Sequence, residues 1–235
     1  MKFIHSLKPF GHVGLLVLLA VLMVPEMALA HGVDDKTRVF LENNTGVQFI
    51  PFLYIGAKHM VTGYDHLLFL LGVIFFLYRP KDILLYVSMF TIGHSLTLLF
   101  GVIADVGVNA YIIDAIIGLS VVYKGFDNLG GFKRLLGHSP NPKIAVLIFG
   151  LFHGFGLATK IQEFSLPQDG LFTNLIAFNI GVELGQFTAL AFILLIISYW
   201  RRHKSFLKFS TTTNTLLMSA GFMLMGYQLV GFAVS

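Results

Sequence analysis

The stretch Thr62–Tyr78, TGYDHLLFLLGVIFFLY, sets an aspartate and a histidine, Asp65 and His66, side by side before an almost unbroken apolar run. Hydrocarbon is a costly place for either side chain unless it is paired or faces a cavity. If the run crosses a membrane, this dipeptide needs partners at the same depth elsewhere in the chain.

Hydrophobic residues make up 56% of the 235, charged residues only 12%, and mean hydropathy is +0.79. The apolar residues fall in blocks near the roughly 20 residues that a bilayer-spanning helix requires. The expected fold is therefore all-α, a polytopic membrane helix bundle in the lipid bilayer. The pI of about 9.3 raises nucleic acid as a partner. The basic residues, however, cluster in short loops beside apolar blocks, which membrane topology explains without nucleic acid. The chain has no cysteine. That excludes disulfides, thiolate metal ligands, palmitoylation and a lipoprotein anchor.

Residues 1–30 have the layout of a signal peptide: Lys2 and Lys8, the apolar core LLVLLAVLMV, and ALA at 28–30 as a cleavage site. The other reading is a retained seventh helix. Cleavage would make His31 the mature N-terminus, where its α-amino group and imidazole could collect metal outside the cell. A polar segment, 31–47, follows, and 48–235 is expected to form one transmembrane domain of six helices. The spans read as about 49–78, 82–104, 108–126, 143–160, 171–199 and 212–233.

Pro80 within YRPKD ends the first span, GGFKRLLGHSPNPK reads as a loop, and WRRHKSFLK closes the fifth span. With the mature N-terminus outside, inner segments hold Arg79, Lys81, Lys124, Lys133, Arg134, Lys143, Arg201, Arg202, Lys204 and Lys208. Outer segments hold Lys36, Arg38, Lys58 and Lys160. This asymmetry obeys the positive-inside rule and suits a bacterial-type inner membrane.

The polar residues can then be ordered by depth. Asp65 and His66 fall near the middle of span one, with His59 a heptad earlier. His94 is central in span two, and His153 lies just past the centre of span four. In span five, NIGVELGQ sets Asn179, Glu183 and Gln186 at i, i+4 and i+7, read as one polar stripe. Asp114 in span three could join a pathway. Imidazole and carboxylate groups match a divalent transition metal such as nickel, cobalt or zinc. The expected site is thus Asp65, His66, His94, His153 and Glu183, with His59, Asn179, Gln186, Asp114 and His31 around it or along a path.

A structural polar network is the plainer alternative. Glycines 154, 156, 181 and 185 lie alongside the polar groups and permit close helix packing. The segments IGHSLTLLFG and LFHGFGLATK each centre on a histidine near glycine, a faint internal echo.

The motifs GYDHLLFLLGV, FTIGHSLTL, FGLFHGFGLA and FNIGVELGQ, behind a signal segment, resemble the HupE/UreJ family across essentially the whole mature chain. The resemblance implies a nickel or cobalt permease linked to hydrogenase or urease maturation systems, with Asp65 and His66 as the first-helix metal motif. Hydrogenase-linked members resemble an F-H-G-x-A-H-G-x-E pattern. Here the stretch is FHGFGLATK, so His153 stands alone, Glu183 would supply the carboxylate, and the chain looks like a divergent branch.

Three functions share this constellation: a permease, an intramembrane zinc-dependent hydrolase, and a metal-binding sensor or assembly factor. No Walker motif is present, and nothing resembles H-E-x-x-H. Oligomeric state, including a homo-oligomer, stays open at this level.

Overall fold

The computed structural model describes Val39, residues 45–162 and residues 169–235. The signal segment, His31 and most of the polar segment after it lie outside these residues. Among them the chain is all α-helical: α1 (Phe49–Thr62), α2 (Tyr64–Ile74), α3 (Pro80–Ile103), α4 (Ala110–Asn128), α5 (Gly131–Leu136), α6 (Pro142–Gln162), α7 (Leu171–Arg201) and α8 (Ser205–Val234).

Four of these, α3, α6, α7 and α8, are long and apolar enough to cross a membrane. α4 has 19 residues but carries Asp114, Lys124 and Asp127. All three charges are paired, Lys124 with Asp127 at 2.6 Å and Asp114 with Lys160 of α6 at 2.6 Å.

The first apolar block differs from the single helix expected over 49–78. It breaks at Gly63, whose backbone (φ −72°, ψ 97°) leaves the helical region. α1 then packs along α7, while α2 turns to pack against α4. The 14- and 11-residue halves are each shorter than a bilayer span.

Two other boundaries move. The first block ends before Pro80, which opens α3 two residues ahead of the expected 82, at the first helical position, where its missing N–H costs nothing. WRRHKSFLK closes the fifth span, since α7 ends at Arg201, but α8 already begins within it at Ser205, earlier than the expected 212. The expected loop at 127–142 contains the short α5, bracketed by Gly130 and Gly137 at positive φ.

Three close helix pairs make the bundle: α1 with α7, α3 with α6, and α4 with α8. Glycine sets their spacing. A Cβ built on Gly181 would overlap the Leu53 carbonyl of α1, and one on Gly154 would overlap the His94 carbonyl of α3. The two histidine-centred segments that echo each other in sequence therefore lie against one another. Thr97 seals this contact by donating its hydroxyl to the Leu151 carbonyl at 2.7 Å. Polar side chains finish the helix ends: Asn109 accepts from the Ile112 N–H, and Arg201 donates to the carbonyls of Ile74 and Phe75 at the end of α2. The Arg201 guanidinium also lies 4.4 Å above the Tyr78 ring.

The α1–α7 seam gives a stability test. Gly181→Leu should wedge the helices apart, cost about 1–3 kcal/mol or more, and lower the thermal midpoint in detergent. Gly226→Leu, where a Cβ would meet nothing within 4 Å, should leave the midpoint unchanged.

Candidate metal centre

Gly63 is where the site begins. Because α2 restarts at Tyr64, Asp65 falls in its first turn, where the positive end of the helix favours a carboxylate. His66 follows immediately, and its Nδ1 lies 3.0 Å from Asp65 Oδ1. Both residues are only 1–2% exposed. A carboxylate can only accept, so this contact puts the proton on Nδ1 and the ring lone pair on Nε2.

His153 reaches the same place from α6. Its Nδ1 lies 2.7 Å from the Phe149 carbonyl oxygen, one turn back on its own helix. That oxygen also only accepts, so Nδ1 carries the proton and Nε2 the lone pair. His153 is thereby held in a tautomer whose opposite nitrogen, Nε2, can ligate a metal, while the contact of His66 Nδ1 with Asp65 orients the His66 ring. The His66 and His153 rings meet edge-on with centroids 5.0 Å apart.

One ligand atom from each of Asp65, His66 and His153 can be chosen so that all lie within 4.8 Å of one another. First-row bonds of about 2.0–2.2 Å put trans ligands roughly 4.2 Å apart, so small rotations would close the set on one ion. Three protein ligands leave a position open for water or for another side chain. Phe69 and Phe90 wall the site. Phe90 lies 4.9 Å from the His153 ring and Phe69 5.6 Å, and both phenylalanines are almost fully buried.

The other expected site residues separate into neighbours and outsiders. His94 is buried at the same level, its ring 6.2 Å from His66 and stacked on Phe90 at 6.0 Å. It shares the surroundings of the cluster without joining the compact ligand set. His59, at the end of α1, meets His66 edge-on at 5.2 Å across the Gly63 break.

Gln186 is buried, accepts the Thr91 hydroxyl at 2.7 Å, and lines a cavity of about 10 Å³ that His66 also lines, room for a single water. Asn179 is buried and bonds its own helix at the Leu175 carbonyl, 3.4 Å away. Asp114 is engaged by Lys160.

Glu183 is the correction. It does not converge on the cluster; it is exposed on the outer face of α7, among Ile180, Leu184 and Phe187. At about 100° per residue, Glu183 is turned roughly 40° from Asn179 and 60° from Gln186, past the edge of the buried arc. The stripe read from sequence is real for the two amides and stops short of the acid.

Gly63 was the residue missed. A Cβ there would lie 2.9 Å from His66 Nδ1, 3.1 Å from the His59 carbonyl oxygen and 3.2 Å from Asp65 Oδ1. Only hydrogen fits. Its signal in the sequence was a lone glycine inside a helical apolar run, directly before two polar residues.

A protein-family model described as HupE / UreJ protein matches residues 35–235. Searches of curated proteins and of solved structures gave no significant match.

Two substitutions test the geometry. Gly63→Ala should push Asp65 and His66 out of register and weaken Co²⁺ binding in detergent by about 10–100-fold, with helical circular dichroism retained. Glu183→Gln should leave the affinity unchanged. Equilibrium dialysis reads both.

Proposed function

Because the chain belongs to the HupE/UreJ family, we propose that it is a membrane permease for a divalent transition-metal cation such as nickel, cobalt or zinc. The observation that carries this reading is the meeting of Asp65, His66 and His153, from two helices, at a buried place beside a broken helix. Discontinuous helices meeting at a buried polar site are a recurring design of secondary transporters. The break at Gly63 leaves two half-helices in place of one continuous span.

The chain's own groups suit a cation in transit. One ring nitrogen from each of His66 and His153 and the Asp65 carboxylate would replace water ligands, and the single negative charge offsets part of a divalent charge. Two imidazoles favour a borderline transition metal over calcium or magnesium, which prefer oxygen. Phe69 and Phe90 keep bulk water from the site. His94 and His59, with rings 6.2 Å and 5.2 Å from that of His66, would pass the ion to or from the cluster.

In this reading α1 and α2 together make one broken span, and with α3, α4, α6, α7 and α8 they give six spans within 48–235. A signal peptide over 1–30 is removed, the mature N-terminus at His31 lies outside a bacterial-type inner membrane, and 127–142 and 200–210 are cytoplasmic. Paired charges support membrane placement of α4, since an ion pair costs far less in a bundle than a lone charge. The delivered metal would supply a metalloenzyme maturation system.

Proteoliposomes loaded with a metal-sensitive dye test the transport reading with Ni²⁺, Co²⁺ and Zn²⁺ in turn. The wild-type chain should admit at least one of them, and His66→Ala and His153→Ala should fall to the empty-vesicle rate. Uptake that both variants preserve would sink the proposal. For orientation, a cysteine at position 139 should react with an impermeant reagent only from the cytoplasmic side.

A further inference from the structure

Among the described residues, Asp114 and Lys160 form a buried charged contact one helical turn from His153. The Lys160 ammonium donates to Asp114 Oδ2 at 2.6 Å, joining α6 to α4, with the lysine side chain 15% and the aspartate side chain 6% exposed. Their level follows from α6. His153, Gly156 and Lys160 are three and then four residues apart, so Gly156 lies about 4.5 Å and Lys160 about 10.5 Å beyond His153 along the axis. Asp114 Oδ1 stands 3.5 Å from where a Cβ on Gly156 would be. The carboxylate therefore sits one turn beyond His153, between the cluster and the end of the helix. Tyr64, the neighbour of Asp65, is in electrostatic reach of both Asp65 and Asp114.

A buried ion pair is weak evidence of stability, because desolvation offsets most of its attraction. One partner of this pair is a lysine near a helix end. Lys160 lies in the last turn of α6, which ends at Gln162. Its charge is carried on a flexible four-carbon stem that can swing out to the interface. The helix C-terminus also favours an ammonium near its last carbonyls, so the withdrawn lysine has somewhere to go. Asp114 has no such freedom, held on α4 against α6.

We propose that Asp114 is a second, transient divalent-cation site on the path to the Asp65–His66–His153 cluster, and that the Lys160 ammonium is its tethered resident cation. This rests on the reading of the cluster as the metal centre. With no metal present the ammonium neutralises Asp114 and blocks the approach. An arriving divalent ion displaces it, the lysine swings out, and the carboxylate becomes a way-station one helical turn from His153. A monovalent charge leaves and a divalent one enters, so the step is favoured when the ion outbids the ammonium for one carboxylate. The same exchange would turn back monovalent cations, which offer Asp114 no more charge than Lys160 does.

Equilibrium dialysis of the full purified chain against Co²⁺, counting bound ions per chain, tests this. The wild-type chain should bind one ion, and Lys160→Gln and Lys160→Met should each gain one more. The gain should vanish in Asp114→Asn/Lys160→Gln and persist in His66→Ala/Lys160→Gln. The glutamine amide can still donate to Asp114, so that variant decides the matter if the methionine variant fails to fold. No gain in Lys160→Gln, or a gain that survives Asp114→Asn, overturns the proposal. The two readings fail separately: loss of the first ion in His66→Ala reports on the cluster, and the extra ion reports on Asp114 and Lys160.

Discussion

The contact on which the rest depends is the close approach at Gly63, where backbone and the Asp65–His66 pair occupy space that any side chain would need. Breaking the helix there has three consequences at once. It begins a new helix whose positive end supports the Asp65 carboxylate, it turns His66 toward α6, and it leaves His59 facing His66 from the other side of the break.

Glycine serves the bundle in a second way, by letting backbones touch. Without apolar collapse to drive association in lipid, helices join through tight packing and interhelical hydrogen bonds. The contact of Gly154 with the His94 backbone and the hydroxyl bridge from Thr97 to Leu151 fix α3 against α6 at the level of the site. His153 is adjacent to that seam. Packing and chemistry are thus coupled: the residues that hold α6 in place also set the reach of its histidine. Charges farther out follow the same logic, with Asp114, Lys124 and Asp127 all paired, so α4 carries three of them within 19 residues.

Much of this was legible in the sequence, because charge in an apolar run has few acceptable fates. Asp65, His66 and His153 could be chosen by depth and ligand chemistry alone, and they do meet. His94 was placed at the right level, but its distance from the ligand set depends on ring orientation, which no spacing reports. Glu183 could not be placed. Whether a residue at the edge of a helical stripe faces inward depends on how far the neighbouring helices wrap around, and here Asn179 is buried while Glu183 is exposed. The break at Gly63 was hidden for a related reason: helices tolerate glycine, and only the crowding at its Cβ position shows why the residue must be there. Family membership over residues 35–235 agrees with the motifs that carried the resemblance.

The central claim is that two imidazoles and one carboxylate bind a single divalent ion. X-ray absorption at the metal edge of the Co²⁺- or Ni²⁺-loaded chain tests it directly. The account predicts nitrogen and oxygen scatterers at about 2.0–2.1 Å, with outer-shell scattering from two imidazole rings that drops to one in His153→Ala. A spectrum without imidazole scattering, or one unchanged by removing His153, would contradict it.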